Sequence, residues 1–233
     1  MMTLKVCSWN AHSLDLAKEA YLFNYVIDEK IDVCGVCETW QDYNTSNYAG
    51  FYVFSLPTIC NRRGLAIFAR VTAKLVKRYT FQDDDFACIS ILCKSILLMN
   101  VCIPNGSTVH GIRKFLELFE IAKLEFSQVI IFGDLNARLG VGKHESRNAC
   151  GSFLLKRLDF GDLWTKTVLE PTFPKQQSVL DHFLFYGKFK ISTLIVVGDS
   201  WQSDHRAIVG KFEGFRAVEQ IRDSRLQSFK ATN

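Results

Sequence analysis

A mixed, largely antiparallel α/β sandwich is the fold class that the sequence predicts, and three observations carry it. Short runs rich in Val, Ile, Phe and Leu recur along the whole chain. Amphipathic helical stretches separate them only at intervals, so strands far outnumber helices, and no Pro-, Ser- or Gly-rich linker divides the apolar segments. The regular strand-helix alternation of a doubly wound sheet is missing. At 233 residues, 48% hydrophobic and 22% charged, the chain can bury a full core, which excludes disorder, and 4 Pro and 14 Gly exclude collagen-like or low-complexity sequence.

The first strand is expected at residues 4–9. Residues 15–30 follow with apolar side chains at 16, 20, 22, 23, 26 and 27, the pattern of an amphipathic helix. The run 32–37 is almost wholly apolar, as a strand buried on both faces would be. Further strands are expected at 51–55, 65–70, 86–92 and 96–103. A second helix is read over 109–126, with apolar positions 112, 115, 116, 119 and 122 on one stripe, before a strand at 129–132. A third helix covers 151–160, and strands at 180–186, 191–197 and 207–211 complete the set. Residues 219–233 are polar and rich in Arg, Lys and Gln, suiting a short helix and a frayed end or linker.

Composition narrows the function classes. The longest apolar stretches, such as Ile96 to Met99, fall far below the roughly 20 residues a membrane helix needs, so no membrane partner is expected. The N-terminus runs straight into a strand pattern, and no secretory signal is visible. Eight cysteines, at 7, 34, 37, 60, 88, 93, 102 and 150, are then read as thiols in a reducing compartment. Cys34 and Cys37 form a C-x-x-C, but they lie inside an apolar run without a second pair to complete a zinc site, and are expected to be buried strand residues. The net charge of +4 and pI near 8.6 are compatible with a polyanionic partner without establishing one.

Polar residues stand where several apolar runs end. The first strand closes on Ser8-Trp9-Asn10, the second on Cys37-Glu38-Thr39-Trp40, and the run 129–132 on Gly133-Asp134-Leu135-Asn136. Val179-Leu180-Asp181 opens a late strand, and Gln202-Ser203-Asp204-His205 precedes the last one. Carboxylates and amides beside buried apolar segments are costly unless they hydrogen-bond or hold a cation. Asp134 and Asn136, two apart, would face the same way in extended chain while Leu135 turns to the core. Gly133 would permit a tight turn and leave room for a ligand. Singly, each has an ordinary reading: Asn10 as a helix cap or turn, Glu38 as a salt-bridged edge carboxylate, Gly-Asp-x-Asn as a turn, Ser-Asp-His as a cap or surface loop. Their joint occurrence in this order, each at a strand end, points to a site.

The words S-W-N (8–10), C-E-T-W (37–40), P-N (104–105), G-D-L-N (133–136), S-x-L-D (178–181) and S-D-H (203–205) together resemble the endonuclease/exonuclease/phosphatase superfamily over residues 4–211. That superfamily includes pancreatic-type DNases, apurinic endonucleases, sphingomyelinases and inositol phosphatases. The resemblance implies a four-layered α/β sandwich, two packed mainly antiparallel sheets flanked by helices, with a phosphodiesterase site at one edge. Within the superfamily, Asn10-Ala11-His12-Ser13-Leu14 resembles the N-A-R-S-L opening of endonuclease domains from non-LTR (LINE-type) retrotransposons. Glu38-Thr39-Trp40, Arg63-Gly64-Leu65-Ala66-Ile67, Gly133 to Gly140, and Thr172-Phe173 before Ser178 fit the same pattern.

The expectation is therefore a metal-dependent DNA endonuclease over residues 1–215 with a polar tail or linker at 216–233. It would nick double-stranded target DNA in the nucleus, leaving a 5'-phosphate and a 3'-hydroxyl that primes reverse transcription, with a reverse transcriptase in the same polyprotein. The resemblance implies Glu38 as ligand to Mg2+ or Mn2+, with Asn10 and Asp204 completing the shell directly or through water. It implies that Asp134 orients and deprotonates the attacking water, and that Asn136 donates hydrogen bonds to the scissile phosphate. His205, as imidazolium oriented by Asp181, would bind a non-bridging oxygen. Arg62, Arg63, Arg138, Lys143 and Arg206, in loops near the motif ends, are the candidate contacts to DNA phosphates. Two positions depart from the apurinic branch: His12 stands where those relatives carry Asp, and Cys102 where they carry a phosphate-side Tyr. The alternatives are an apurinic repair endonuclease, an inositol or sphingolipid phosphoesterase, or a catalytically dead binding module.

Overall fold

A computed structural model describes residues 3–43, 47–58, 64–70, 75–93, 95–106, 109–141, 145–199 and 201–213. In chain order the elements are β1 (Thr3–Asn10), α1 (Leu16–Asp28), β2 (Val33–Cys37), β3 (Asn47–Tyr48), β4 (Phe51–Leu56), β5 (Leu65–Arg70), β6 (Leu75–Gln82), β7 (Ala87–Cys93) and β8 (Ile96–Cys102). Then come α2 (Val109–Glu125), β9 (Val129–Asp134), α3 (Ala149–Phe160), β10 (Leu163–Thr165), β11 (Asp181–Tyr186), β12 (Lys190–Val196) and β13 (Ile208–Glu213). Two sheets result, ordered β12-β13-β1-β2-β5-β4-β3 and β10-β11-β9-β8-β7-β6. Strand pairing is antiparallel except at β1/β2 and β8/β9. The sandwich expected from the sequence is the fold observed.

Period-two alternation builds the layers. Val6, Val33 and Ile67 of the first sheet meet Ile89, Leu98, Ile130, Phe132 and Phe183 of the second in one buried cluster. The opposite faces are covered by helices. Leu22, Phe23 and Val26 of α1 pack on Trp9, Val36 and Phe68, while Ile112, Phe115, Leu116 and Phe119 of α2 pack on Met99, Val101, Val129 and Ile131 together with Leu154 of α3. Helix, sheet, sheet, helix is the four-layer order that the resemblance implies. Each buried Leu, Ile or Phe contributes roughly 1.5–3 kcal/mol.

A polar tie crosses the interior of the sheet interface. Asn100 of β8 is fully buried, and its amide donates to the carbonyls of Val36 (3.2 Å) and Ala66 (3.1 Å) in the facing sheet, while the Cys37 thiol donates to its oxygen at 3.6 Å. Gly35 makes room for it: a Cβ there would lie 2.3 Å from the Phe132 ring and 2.8 Å from Asn100 Cγ.

The sequence reading missed three strands. β3 and β10 are two and three residues long, and β6 carries Lys77 and Arg78 inside its run, which suits an edge strand. The cysteines among the described residues are buried, Cys34 and Cys37 in β2 as expected, with Cys60 outside the described residues. The polar tail at 216–233 also lies outside them.

Gly35→Ala tests the closeness of the sheets. It should lower unfolding free energy by roughly 1–3 kcal/mol through overpacking, read as a lower urea midpoint, and an unchanged midpoint would show that the sheets yield without cost.

Candidate active site

Parallel strands cannot be joined by a hairpin, so β1/β2 and β8/β9 are connected through α1 and α2, and each pair brings two carboxyl ends to one edge. Alternation does the rest. Residues 4, 6, 8 and 10 of β1, 130, 132 and 134 of β9, and 181, 183 and 185 of β11 share the parity that faces the other sheet, so Asn10, Asp134 and Asp181 are the inward positions at the rim. Asp134 and Asp181 are register partners. A cavity of about 280 Å³ opens there, lined by Asn10, Glu38, Asp134, Asn136, Asp204 and His205 among others.

Asn10 joins the two sheets. Its Nδ2 donates to Glu38 Oε1 at 3.1 Å and to Asp134 Oδ2 at 2.9 Å, and its Oδ1 accepts from the His12 backbone N–H at 3.0 Å. The loops after β1 and β2 continue side by side, with Ala11 donating to the Cys37 carbonyl and Ser13 to that of Glu38. Glu38 (φ 54°), Trp40 (54°), His12 (45°) and Ser13 (76°) all hold left-handed backbone, a conformation that costs a non-glycine residue on the order of 1 kcal/mol and clusters where function constrains the chain.

Asp134 is buried and accepts from three donors: Asn10, the Asn136 backbone N–H at 2.9 Å and Asn136 Nδ2 at 3.3 Å. Asn136 also donates to the Ile103 carbonyl at 2.7 Å. Two sequence expectations need correction here. Asn136 has φ 47°, so a turn and not extended alternation brings it beside Asp134. Gly133 (φ 136°) leaves room for a neighbouring strand and not for a ligand, since a Cβ there would lie 1.9 Å from the Val101 carbonyl oxygen. The turn is fixed from outside by Asn148, the N-cap of α3, whose Nδ2 donates to the Asn136 carbonyl at 2.8 Å and whose Oδ1 accepts from Arg138 N–H.

His205 stands opposite. Its Nδ1 is 2.8 Å from Asp181 Oδ2, its carbonyl accepts from Trp9 Nε1, and its ring leans on Phe173 at 4.9 Å. Thr172 Oγ1 accepts from the backbone N–H groups of Leu180 and Asp181, which explains why a Thr-Phe pair precedes the Ser-x-Leu-Asp word. Ser203 Oγ donates to the Asn10 carbonyl and ties the Ser-Asp-His loop to β1.

Burial, then the charge of Asp181, pushes the Asp134 pKa up to about 7, against the pull of His205 and the Asn10 hydrogen bond. For His205 burial works against the charged ring, yet the charge of Asp181 and its hydrogen bond prevail and push the pKa up to about 10.

Two donor sets stand here. Asp134, Asp181 and His205 bring one atom each within 4.8 Å of one another, but His205 already shares a proton with Asp181, and that proton fills the place a cation would take. Glu38 offers the other set. Its carboxylate has Asn10 as polar partner, no cationic partner among the described residues, and Asp204 on the wall of the same cavity. These are hard oxygen donors, and they fit Mg2+ or Mn2+.

Arg138 lines the cavity, while Arg206 does not and donates its backbone N–H to the Thr172 carbonyl. Arg62, Arg63 and Lys143 lie outside the described residues. Cys102 is buried under the site without lining it. His12 lines the cavity with its Nδ1 3.4 Å from Asp204 and its ring edge-on to Trp40. Asn148 and Glu145 were missed: an Asn before a helix is an N-cap signal, but the helix was read from 151 and not from 149, and a carboxylate that binds backbone N–H groups carries no sequence signal. Glu145 accepts from Gly140, Val141 and Val179 N–H groups and so ties the Asn136 loop to the approach of β11.

A carboxyl whose pKa is raised on folding binds its proton more tightly in the folded chain. Stability is therefore lost as pH climbs from the unfolded value, near 4, through about 7. Asp134→Asn removes that loss, so its unfolding temperature relative to wild type should be higher at pH 8 than at pH 5. A difference independent of pH would refute the raised pKa.

The sequence model of the Endonuclease/Exonuclease/phosphatase family matches residues 7–205. No curated protein matches the chain. Among solved structures, the chain is similar to the endonuclease domain of TRAS1, a telomere-specific non-LTR retrotransposon, at 18% identity and TM-score 0.67, covering 90% of this chain and 98% of that one. It is similar to the 3' phosphatase NExo from Neisseria bound to product DNA hairpin, at 15% identity and TM-score 0.71, covering 91% and 100%. It is also similar to D. rerio TDP2 complexed with single strand DNA product, at 16% identity and TM-score 0.69, covering 92% and 100%. At these identities the likeness is one of fold. The match over nearly all of the two sheets, with every polar strand end at one rim, places this chain in the endonuclease/exonuclease/phosphatase family.

Proposed function

We propose that the chain is a divalent-metal-dependent DNA endonuclease of the non-LTR retrotransposon kind, acting on duplex DNA in the nucleus and working with a reverse transcriptase of the same polyprotein. The observation that carries the reading is Asp134, a buried carboxylate poised near neutrality, held by two amides and facing a protonated His205 across one cavity. The fold shared with a retrotransposon endonuclease domain and with NExo and TDP2, both seen bound to product DNA, supports DNA as substrate.

In its ionised form Asp134 accepts a proton from water, whose oxygen forms a bond to phosphorus as the bond to the 3'-oxygen breaks. The pKa near 7 suits a base that must be free at neutral pH. Asn10 and Asn136 fix its two oxygens, so the lone pair that takes the proton keeps one direction. Of the two Asn136 amide bonds, the 3.3 Å contact to Asp134 is the longer, and a phosphate oxygen would take it over. His205, its Nδ1 committed to Asp181, presents its other ring nitrogen to a non-bridging oxygen and offsets the charge that builds there. Glu38, Asn10 and Asp204 would hold Mg2+ or Mn2+, which when bound supplies Lewis-acid stabilisation of phosphate and departing oxygen charge. Arg138, on the cavity wall, would meet a flanking phosphate. The products are a 5'-phosphate and an extendable 3'-hydroxyl.

Supercoiled plasmid should be nicked with Mg2+ and spared with EDTA, and a DNA polymerase should extend the nick without prior phosphatase treatment. Asp134→Ala should lower nicking by about a hundredfold or more. Near wild-type turnover of that variant would sink the mechanism, and release of phosphate from inositol phosphates without nicking would replace DNA by a small substrate.

DNA binding should weaken roughly tenfold or more between about 50 and 200 mM salt, measured by fluorescence anisotropy on intact duplex. A flat salt response would argue against phosphate contacts, and much faster incision of a duplex carrying one abasic analogue would point to DNA repair.

A further inference from the structure

Helix α1 buries two consecutive charged residues in its first turns, and each reaches a different loop of the site. Successive helical residues are about 100° apart around the axis, so Lys18 and Glu19 diverge. Lys18, 8% exposed, donates from Nζ to the carbonyls of Ala11 and His12, each at 2.9 Å, and no carboxylate pairs with it among the described residues. Its charge is committed to the loop that leaves Asn10. Glu19, 6% exposed, accepts from Gln41 Nε2 (2.8 Å) and Tyr43 Oη (2.6 Å) in the loop beyond Glu38, and from Tyr48 Oη (2.8 Å) of β3. Gln41 Nε2 also donates back to the Leu14 carbonyl at 2.6 Å and closes the circuit between the loops.

We propose that this turn of α1 is a clamp that fixes the spacing of Asn10 and Glu38, with Lys18 and Glu19 as positioning residues for the cation those two side chains hold. The proposal rests on the reading of Glu38 and Asn10 as the cation's ligands. The left-handed backbone at His12, Ser13, Glu38 and Trp40 explains why a clamp is needed. Such residues relax toward ordinary conformations unless their surroundings over-determine them. Lys18 grips the carbonyl of His12 itself, and Glu19 fixes Gln41, whose carbonyl accepts from Thr39 Oγ1 between the two strained residues of the second loop. Burying an ammonium against two carbonyls is a costly way to stabilise a surface helix, and its effect is local to the residue after Ala11.

The test is Mn2+ affinity of the full chain, read from the free Mn2+ signal in electron paramagnetic resonance, alongside thermal unfolding. Lys18→Met should keep a cooperative transition and weaken Mn2+ binding about tenfold, the lower end of what losing a supporting partner costs a metal site. Lys18→Arg should restore it to within about threefold, because a guanidinium also donates to two carbonyls. Glu19→Gln, which keeps the shape and one acceptor, should weaken binding in the same direction and decides the matter should Lys18→Met fail to fold. Variants that lower the unfolding temperature while leaving Mn2+ affinity unchanged would overturn the clamp. Glu38→Gln separates the two layers: lost binding there with unchanged binding in both α1 variants overturns the clamp alone, whereas wild-type binding in Glu38→Gln overturns the ligand reading beneath it.

Discussion

One side-chain amide, that of Asn10, stands between a carboxylate from each sheet. Glu38 Oε1 and Asp134 Oδ2 both lie within 3.1 Å of its nitrogen, so the two oxygens are no more than about 6 Å apart, a separation at which like charges repel by about 3 kcal/mol at an effective dielectric of 20. The amide's two hydrogens offset that repulsion and give both carboxylates a direction. The two sheets must then end at the same height, because a shift of one residue in β1 or β9 would turn Asn10 or Asp134 to the helical face. Asn100 and Gly35, deeper in the interface, hold the sheets at the distance this contact requires.

The only parallel pairings among the described strands are β1/β2 and β8/β9, and the site grows from their carboxyl ends. A hairpin would have put the ends of neighbouring strands at opposite edges. The crossover helices therefore have a functional consequence beyond covering the sheets. They let Asn10 and Glu38 leave one rim together, opposite Asp134, and the antiparallel entry of β11 and β13 brings Asp181 and the Ser203 to His205 loop to the same rim.

Strand ends were legible because a polar residue after an apolar run is a costly and therefore informative choice. Asn10, Glu38, Asp134, Asp181 and His205 were found on that signal, and all line or flank one cavity. The left-handed turn at Asn136 was not legible, since a residue type that tolerates positive φ does not announce that it adopts it. The face of α1 was misread in an instructive way. Leu16 belongs to the apolar pattern but is 82% exposed, whereas Lys18 and Glu19 are buried. Hydrophobic periodicity places the helix on the sheet through Leu22, Phe23 and Val26, but its first turn faces loop carbonyls that require a donor and phenols that require an acceptor. β6 was hidden for a related reason, because an edge strand meets solvent on one side and tolerates the Lys77 and Arg78 that break the pattern.

The charges of the site impose an order on its chemistry. Glu38, Asp134 and Asp204 line the cavity and Asp181 lies behind it, against His205 and Arg138. A phosphodiester entering this ring meets more negative than positive charge, and the ion pair of His205 with Asp181 is already largely neutral as a unit. On the proposed reading, a cation held by Glu38 would make the cavity habitable for phosphate and would relieve the repulsion that Asn10 otherwise bears alone. Burial and the charge of Asp181 keep Asp134 near the point of protonation, so this carboxyl is a poor anion until a hydrogen-bond donor or a cation stabilises it. The fold thus stores its catalytic readiness as unfavourable electrostatics, confined to one rim by two rigid sheets and by helices that tie the loops to them.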